Sequence, residues 1–512
     1  MTKGRISAAL CLLLLFGAMA QVCAKTETGE IKLDVKKRVL SNGMRILVLE
    51  NHSAPVFSSI IRFSTGSVDE HPGITGSSHL LEHMLFKGTH IVGTSNYEAE
   101  VPIMAKIDSV AHLAYAEQVR LQSPLNPQDS TRLKALRHEI AELQSEQKQY
   151  IIKDELWGTY LQNGGSGLNA STGNDGTQYY VSLPKNRLEL WAFFESDRMA
   201  NMVLREFYSE RDVVMEERRL TSENQVRGRV DEAAMSTIYW ASPYGWPVVG
   251  WMSDLMTIQR EDVEAYFKSH YSPSNAVAVI VGDVNAEAVF AMCERYFGKV
   301  PAQPLPQPVV TRDAPQMGER RVEVEYDASP YAEIAWITQQ IGHPDLPALE
   351  VAANILSNGR TSRFFKNIRD KKLGAVNASS DYARFPGTFS CSVTPYGDHT
   401  IQELESAIYA EIDRLKTKKV TEWELQKVRN QVDAQLLRAL DSNNGLAFRI
   451  AGSEGLTGDW HNFLDRAAAV KEVTADDVMR VVKTYLVKKN RTVVYVVKPS
   501  VDEPAAAASK TN

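Results

Sequence analysis

Apolar positions along this chain change their period several times, and each change marks an element. Met104, Ile107, Ala111 and Ala114 form one stripe at helical spacing. Leu133, Leu136, Ile140, Leu143 and Tyr150 form a second, around a polar Gln147. The stretch Ser123-Pro-Leu-Asn-Pro-Gln-Asp-Ser130 between them carries turn and capping residues. Together they predict an antiparallel helical hairpin at about residues 97–157. Its seam can pack on its own domain or pair with another chain. Further on, Tyr271-Ser-Pro-Ser-Asn275 leads from a helical pattern into the strand-like run Ala-Val-Ala-Val-Ile-Val. Tyr485-Leu-Val-Lys-Lys-Asn-Arg-Thr-Val-Val-Tyr-Val-Val ends the second half in the same style, as a weak internal repeat. Between the two halves, the proline-rich run 301–308, continuing to Pro315, has the composition of a semi-rigid linker. The expected organisation is a first α+β module over 33–300, a linker over 301–318 and a second module over 319–499. A disordered tail is expected over 500–512.

The N-terminus has a different pattern. Lys3 and Arg5 precede an apolar run, Ile6 to Ala20, and Ala18-Met-Ala20 and Val22-Cys-Ala24 offer small-residue cleavage sites. This predicts a signal peptide at 1–24 and a periplasmic or secreted protein; an uncleaved segment would instead anchor it to the membrane. No later stretch is long and apolar enough to span a bilayer. The composition is that of a soluble globular protein, and 512 residues exceed one ordinary core. A net charge of −6 argues against nucleic acid as a partner. Of the four cysteines, only Cys293 and Cys391 lie beyond the signal, and one pair is no disulfide framework.

The densest chemistry lies in His79-Leu-Leu-Glu82-His83. On a helix, positions i, i+3 and i+4 share a face. Two imidazoles so placed can hold one Zn²⁺, with the carboxylate beside the water that the metal activates. This is the inverted form of the zincin motif. A catalytic zinc takes three protein ligands and keeps one open position. Downstream, Glu210 and Glu217 are seven residues apart and share a helical face, while Glu216 points elsewhere. By itself this second segment also reads as a solvated, ion-paired surface.

The motifs together resemble the pitrilysin-type zinc metallopeptidases, the family of insulin-degrading enzyme and the mitochondrial processing peptidase. The matching pieces are Leu40-Ser-Asn-Gly-Met-Arg-Ile-Leu-Val, Gly66-Ser-Val-Asp-Glu, Gly73-Ile-Thr-Gly76, His79 through Phe86-Lys-Gly-Thr89, Gly167-Leu-Asn-Ala-Ser-Thr172, Pro243-Tyr-Gly with Gly250, and Tyr271 to Ala276. They occur in the family's order over most of the chain. The resemblance implies two homologous α/β-roll modules, each an antiparallel-rich sheet covered by helices, facing each other as a clam shell. It assigns His79, His83 and Glu217 as ligands of one zinc per chain and Glu82 as general base. Glu210 becomes a second acid that orients a ligand histidine. Leu168, Asn169, Ala170, Ser171 and Thr172 become an edge strand for substrate.

Two departures from the family stand out. The hairpin lengthens the interval between His83 and Glu217 well beyond that of relatives. In the second module, Asn358 to Arg369 occupies the place of the zinc region without a histidine. Arg369 matches a substrate-contacting arginine, but position 376 is valine where single-chain relatives carry tyrosine; Tyr382 is off register. The expectation is an exported zinc endopeptidase acting on short or unfolded polypeptides. It would be paired with a homologous metal-free subunit or a second copy. The alternative is a non-catalytic subunit of the same fold.

Overall fold

The computed structural model describes residues 24–25, 31–123 and 129–499. The expected signal peptide, apart from Ala24, and the expected tail lie outside the described residues. After a two-residue pairing of β1 (Ala24–Lys25) with β2 (Ile31–Lys32), the chain forms two compact α/β units, each around one sheet.

The first unit's sheet contains β3 (Lys36–Val39), β4 (Arg45–Glu50), β5 (Val56–Phe63), β6 (Ser166–Gly173), β7 (Gly176–Pro184) and β8 (Ala276–Gly282). Its order is β3-β4-β8-β5-β7-β6, and only β4–β8 is a parallel pair. The second unit holds β9 (Arg320–Glu325), β10 (Ala332–Ile337), β11 (Gly374–Ser380), β12 (Thr388–Pro395) and β13 (Arg491–Val497). Their order is β11-β12-β10-β13-β9, with β9–β13 the parallel pair. Without β3, the two orders coincide strand for strand. The weak repeat ending in β8 and β13 is therefore a repeat of topology, and both sheets are antiparallel-rich as expected.

The units are not linear in sequence. Among the described residues, the first takes those up to 215, 248–309 and 438–463; the second takes 216–247, 310–437 and 464–499. This departs from the expected division at 33–300 and 319–499. Helix Asn443–Thr457 lies against β5 and β8 of the first sheet. Glu454 on it is fully buried and accepts from Lys37 at 2.7 Å and Arg45 at 3.2 Å, while Ser64 Oγ donates to the Gly455 carbonyl at 2.7 Å. Conversely, helix Val226–Ile238 lies against β9, β10 and β13 of the second sheet. There Arg320 Nη1 donates to the Ile238 carbonyl at 2.9 Å and its guanidinium stacks on Trp240. The first sheet's β8 is buried at every residue, which accounts for its unbroken apolar run.

The inserted hairpin consists of helices Tyr97–Gln122 and Thr131–Gln147. Asn96 caps the first by accepting from the Ala99 N–H at 3.1 Å. Val110, Ala114, Leu133 and Leu136 form the outer seam, with Ile140 and Leu143 packed against it. Nearer the base, Ile103, Ile107 and Ala111 join the first unit's main core. Cys293 and Cys391 are free, buried thiols. No helix among the described residues is long and apolar enough to cross a membrane.

Candidate metal centre

The His79 motif occupies a short helix, Ser77–Met84. Leu80, Leu81 and Met84 are buried in the first core, which fixes the rotation of the helix and turns His79, Glu82 and His83 to the other side. A short helix needs its ends satisfied. Glu70 serves the N-terminus, accepting from the Gly76 N–H at 2.8 Å and the Ser78 N–H at 2.7 Å. Burial lifts the Glu70 carboxyl to about 8, against the opposing effect of those two N–H groups. Asp254 Oδ2 accepts from Gly73 N at 3.0 Å and from Thr75 Oγ1 at 2.7 Å, holding the approach to the helix. Gly76 and Gly250 meet there, both at positive φ, +91° and +83°. A Cβ on Gly250 would stand 2.6 Å from Gly76 Cα and 2.3 Å from the Thr75 carbonyl oxygen. This close approach gives a physical reason for the Gly73-Ile-Thr-Gly76 and Gly250 pieces of the sequence pattern.

Glu210 and Glu217 ride on helix Phe207–Arg218. The boundary between the units falls within its last turn, but the helix is continuous, so one element carries both acids. One donor atom each from His79, His83 and Glu217 lie within 4.8 Å of one another. Two imidazoles and a carboxylate are a donor set that suits zinc. Protonation states fit too. Burial, and then the neighbouring His83, push His79 down to about 4, so its imidazole is neutral at pH 7. His83 Nδ1 is 2.9 Å from Glu210 Oε1, a contact that engages one ring nitrogen and leaves Nε2 as the one to serve a metal. Burial alone would raise Glu210, but hydrogen bonds from His83 and Lys87 and the Lys87 charge outweigh it and hold Glu210 at about 2. Lys87 Nζ sits 2.6 Å from Glu210 Oε2. Glu216 is exposed and bonded to Arg219 at 3.0 Å, away from this set.

The expected edge strand is β6, which ends the sheet's order beside β7 among the described strands. A bulge with Gly167 at φ +62° sets its register. Leu168 and Ala170 turn into the core, while Asn169 and Ser171 face outward. Thr172 Oγ1 donates to Glu82 Oε2 at 2.6 Å. This side-chain role was not read from the sequence, where Thr172 figured only as strand backbone. Glu70 and Lys87 were also missed as site residues, although both lie inside motif pieces that the pattern singled out.

In the second unit, Arg369 ends the turn Phe365–Arg369 and is exposed, its guanidinium 5.5 Å from the Phe365 ring. Val376 is buried in β11. The Tyr382 hydroxyl donates to Glu350 at 2.8 Å and its ring stacks on Arg466, so Tyr382 is committed within its own unit.

Residues 45–111 match the family described as Insulinase (Peptidase family M16), and residues 257–432 match the Peptidase M16 inactive domain. The chain is 24% identical to the zinc protease PqqE of Helicobacter pylori, over 89% of this chain and 91% of the relative. It is 22% identical to the mitochondrial-processing peptidase subunit beta of Lentinula edodes, covering 88% and 87%. A crystal structure of a protease from Helicobacter pylori shares the fold, with a TM-score of 0.75 and 22% identity, over 91% of this chain and 99% of that one.

Proposed function

Because the chain belongs to the insulinase-like M16 peptidases, we propose that it is an exported zinc endopeptidase that hydrolyses short or unfolded polypeptides. The observation that carries this reading is the convergence of His79, His83 and Glu217 beside Glu82. These three ligands would hold one zinc, which when bound supplies an acidified water and polarises the scissile carbonyl. The rest is the work of the chain's own residues. Glu82 is not one of the ligands, so its carboxylate takes the proton of the attacking water and returns it to the leaving amine. Thr172 fixes the orientation of that carboxylate. Glu210 fixes the tautomer and ring of His83. The outer edge of β6 offers main-chain N–H and C=O groups to an extended peptide. Main-chain pairing discriminates little between sequences, which favours short or unfolded substrates over folded ones.

A non-catalytic role for the same fold is the competing reading, and most of the inactive-domain match, over residues 310–432, lies in the second unit. The second half carries no histidine in its copy of the zinc region, whereas the first half brings a full ligand set together. We also read the chain as the zinc-bearing member of a pair. Arg369 is present without its tyrosine seven residues on, and one relative is named as a subunit. The signal-like N-terminus supports export. Metal analysis and peptide cleavage by the purified chain test the central reading. One zinc per chain and cleavage of an unfolded peptide are expected, both lost in His83→Ala. Full zinc in His83→Ala would overturn the ligand assignment.

A further inference from the structure

The hairpin is more than a decoration on its domain. Its base encloses a buried ion pair between Glu100, in the first turn of the first helix, and Arg205, just before the helix that carries Glu210 and Glu217. Arg205 Nε donates to both Glu100 oxygens, at 2.8 and 2.9 Å. Gln147, at the end of the second hairpin helix and also buried, donates to Glu100 Oε1 at 2.8 Å. Both hairpin helices therefore hold the one carboxylate. A charge buried this deeply is tolerated only if every polar atom around it is engaged.

The remaining Arg205 donors reach the segment that follows the His79 helix. Nη1 donates to the carbonyls of Lys87 at 2.7 Å and Val92 at 3.3 Å, and Nη2 to that of Thr89 at 3.0 Å. The segment is shaped around the guanidinium. Gly88 and Gly93 both have positive φ, and a Cβ on either would stand 3.0–3.2 Å from Nη1 and closer still to backbone oxygen. Lys87, whose carbonyl is held, sends its ammonium to Glu210, and Glu210 holds His83. A second tie runs in parallel: Asp108 of the hairpin accepts from Arg260 and, at 3.3 Å, from Tyr208 on the helix of Glu210 and Glu217.

We infer that Arg205, held by Glu100 and Gln147, is a positioning residue for the metal centre, acting through Lys87 and Glu210 on His83. The hairpin thus supports the site from behind, and a disturbance at its base reaches a ligand histidine. The inference rests on the zinc reading above.

The test is zinc affinity of the full chain, measured by chelator competition, beside the thermal midpoint. Arg205→Lys keeps the charge opposite Glu100 but loses the fork that spans three carbonyls. Lys87→Met keeps the stem and removes the ammonium, without touching the buried pair. Each should weaken zinc by about tenfold, the scale on which outer partners of ligand histidines act. The double variant should be within about twofold of the weaker-binding single variant, because both changes break one series. Wild-type affinity in Arg205→Lys overturns the inference. If that variant does not fold, wild-type affinity in Lys87→Met overturns it equally, and additive losses in the double variant do so as well. A wild-type chain that binds no zinc defeats the underlying reading instead.

Discussion

The Thr172 hydroxyl, on the outer strand of the first sheet, donates a 2.6 Å hydrogen bond to Oε2 of Glu82. The strand expected to carry the peptide and the carboxylate expected to move the proton are thus tied by one side chain. Hydrogen bonds to charged groups are worth about 1.5–3 kcal/mol. Thr172→Val keeps the branched shape and removes the donor, so kcat should fall about tenfold to a hundredfold with KM little changed. Thr172→Ser should restore most of it. Steady-state kinetics on one unfolded peptide decide; equal kcat in the valine variant would show that the contact does not orient the base.

The meeting of Gly76 and Gly250 gives a stability prediction. Gly250→Ala places a methyl group against the Thr75 carbonyl at a positive φ. The strain and overpacking together should cost about 2–4 kcal/mol. Chemical denaturation monitored in the first unit should show the midpoint fall; an unchanged midpoint would mean that the two loops can separate freely.

In the second unit, burial above all, with Asp231 adding to it, lifts Glu333 from 4.5 to about 7 against the opposing effects of Ser390, Arg227 and Tyr331. Between those values the folded chain keeps a proton that the unfolded chain has released. Stability therefore falls as pH rises through this window, by about 3 kcal/mol in all. Glu333→Gln removes that dependence. Thermal midpoints at pH 5 and pH 8 should differ less in the variant than in the wild type; an equal difference would place the pH dependence elsewhere.

The pairing proposal predicts weak turnover by the isolated chain. A metal-free homologue carrying both the arginine and the tyrosine should raise it strongly, because orientation of a bound substrate is worth several kcal/mol of barrier, of order 10² or more in rate. Turnover of one peptide by species verified by size exclusion checks this. Full activity from a strict monomer would remove the need for a partner.

What the sequence disclosed follows from the range of each signal. The His79 helix and the hairpin stripes were legible because helical period is local, and the interruption at Gln147 was visible as a polar position in an apolar row. Its reason was not, since Glu100 and Arg205 are 47 and 58 residues away. The exchange of helices Val226–Ile238 and Asn443–Thr457 between the units was missed for a related cause. An apolar helix face states that it is buried, but not against which of two similar sheets. Thr172 was placed on the right strand, yet whether its hydroxyl or its backbone mattered depended on where Glu82 came to rest.

The proposed hydrolysis turns most directly on Glu82. Glu82→Gln keeps size and hydrogen bonding but cannot take a proton. Zinc content and cleavage of one unfolded peptide should be measured on this variant and the wild type side by side. The predicted result is one zinc per chain in both, with cleavage reduced by at least about 10² in the variant. Cleavage by Glu82→Gln near the wild-type rate, with zinc in place, would contradict it.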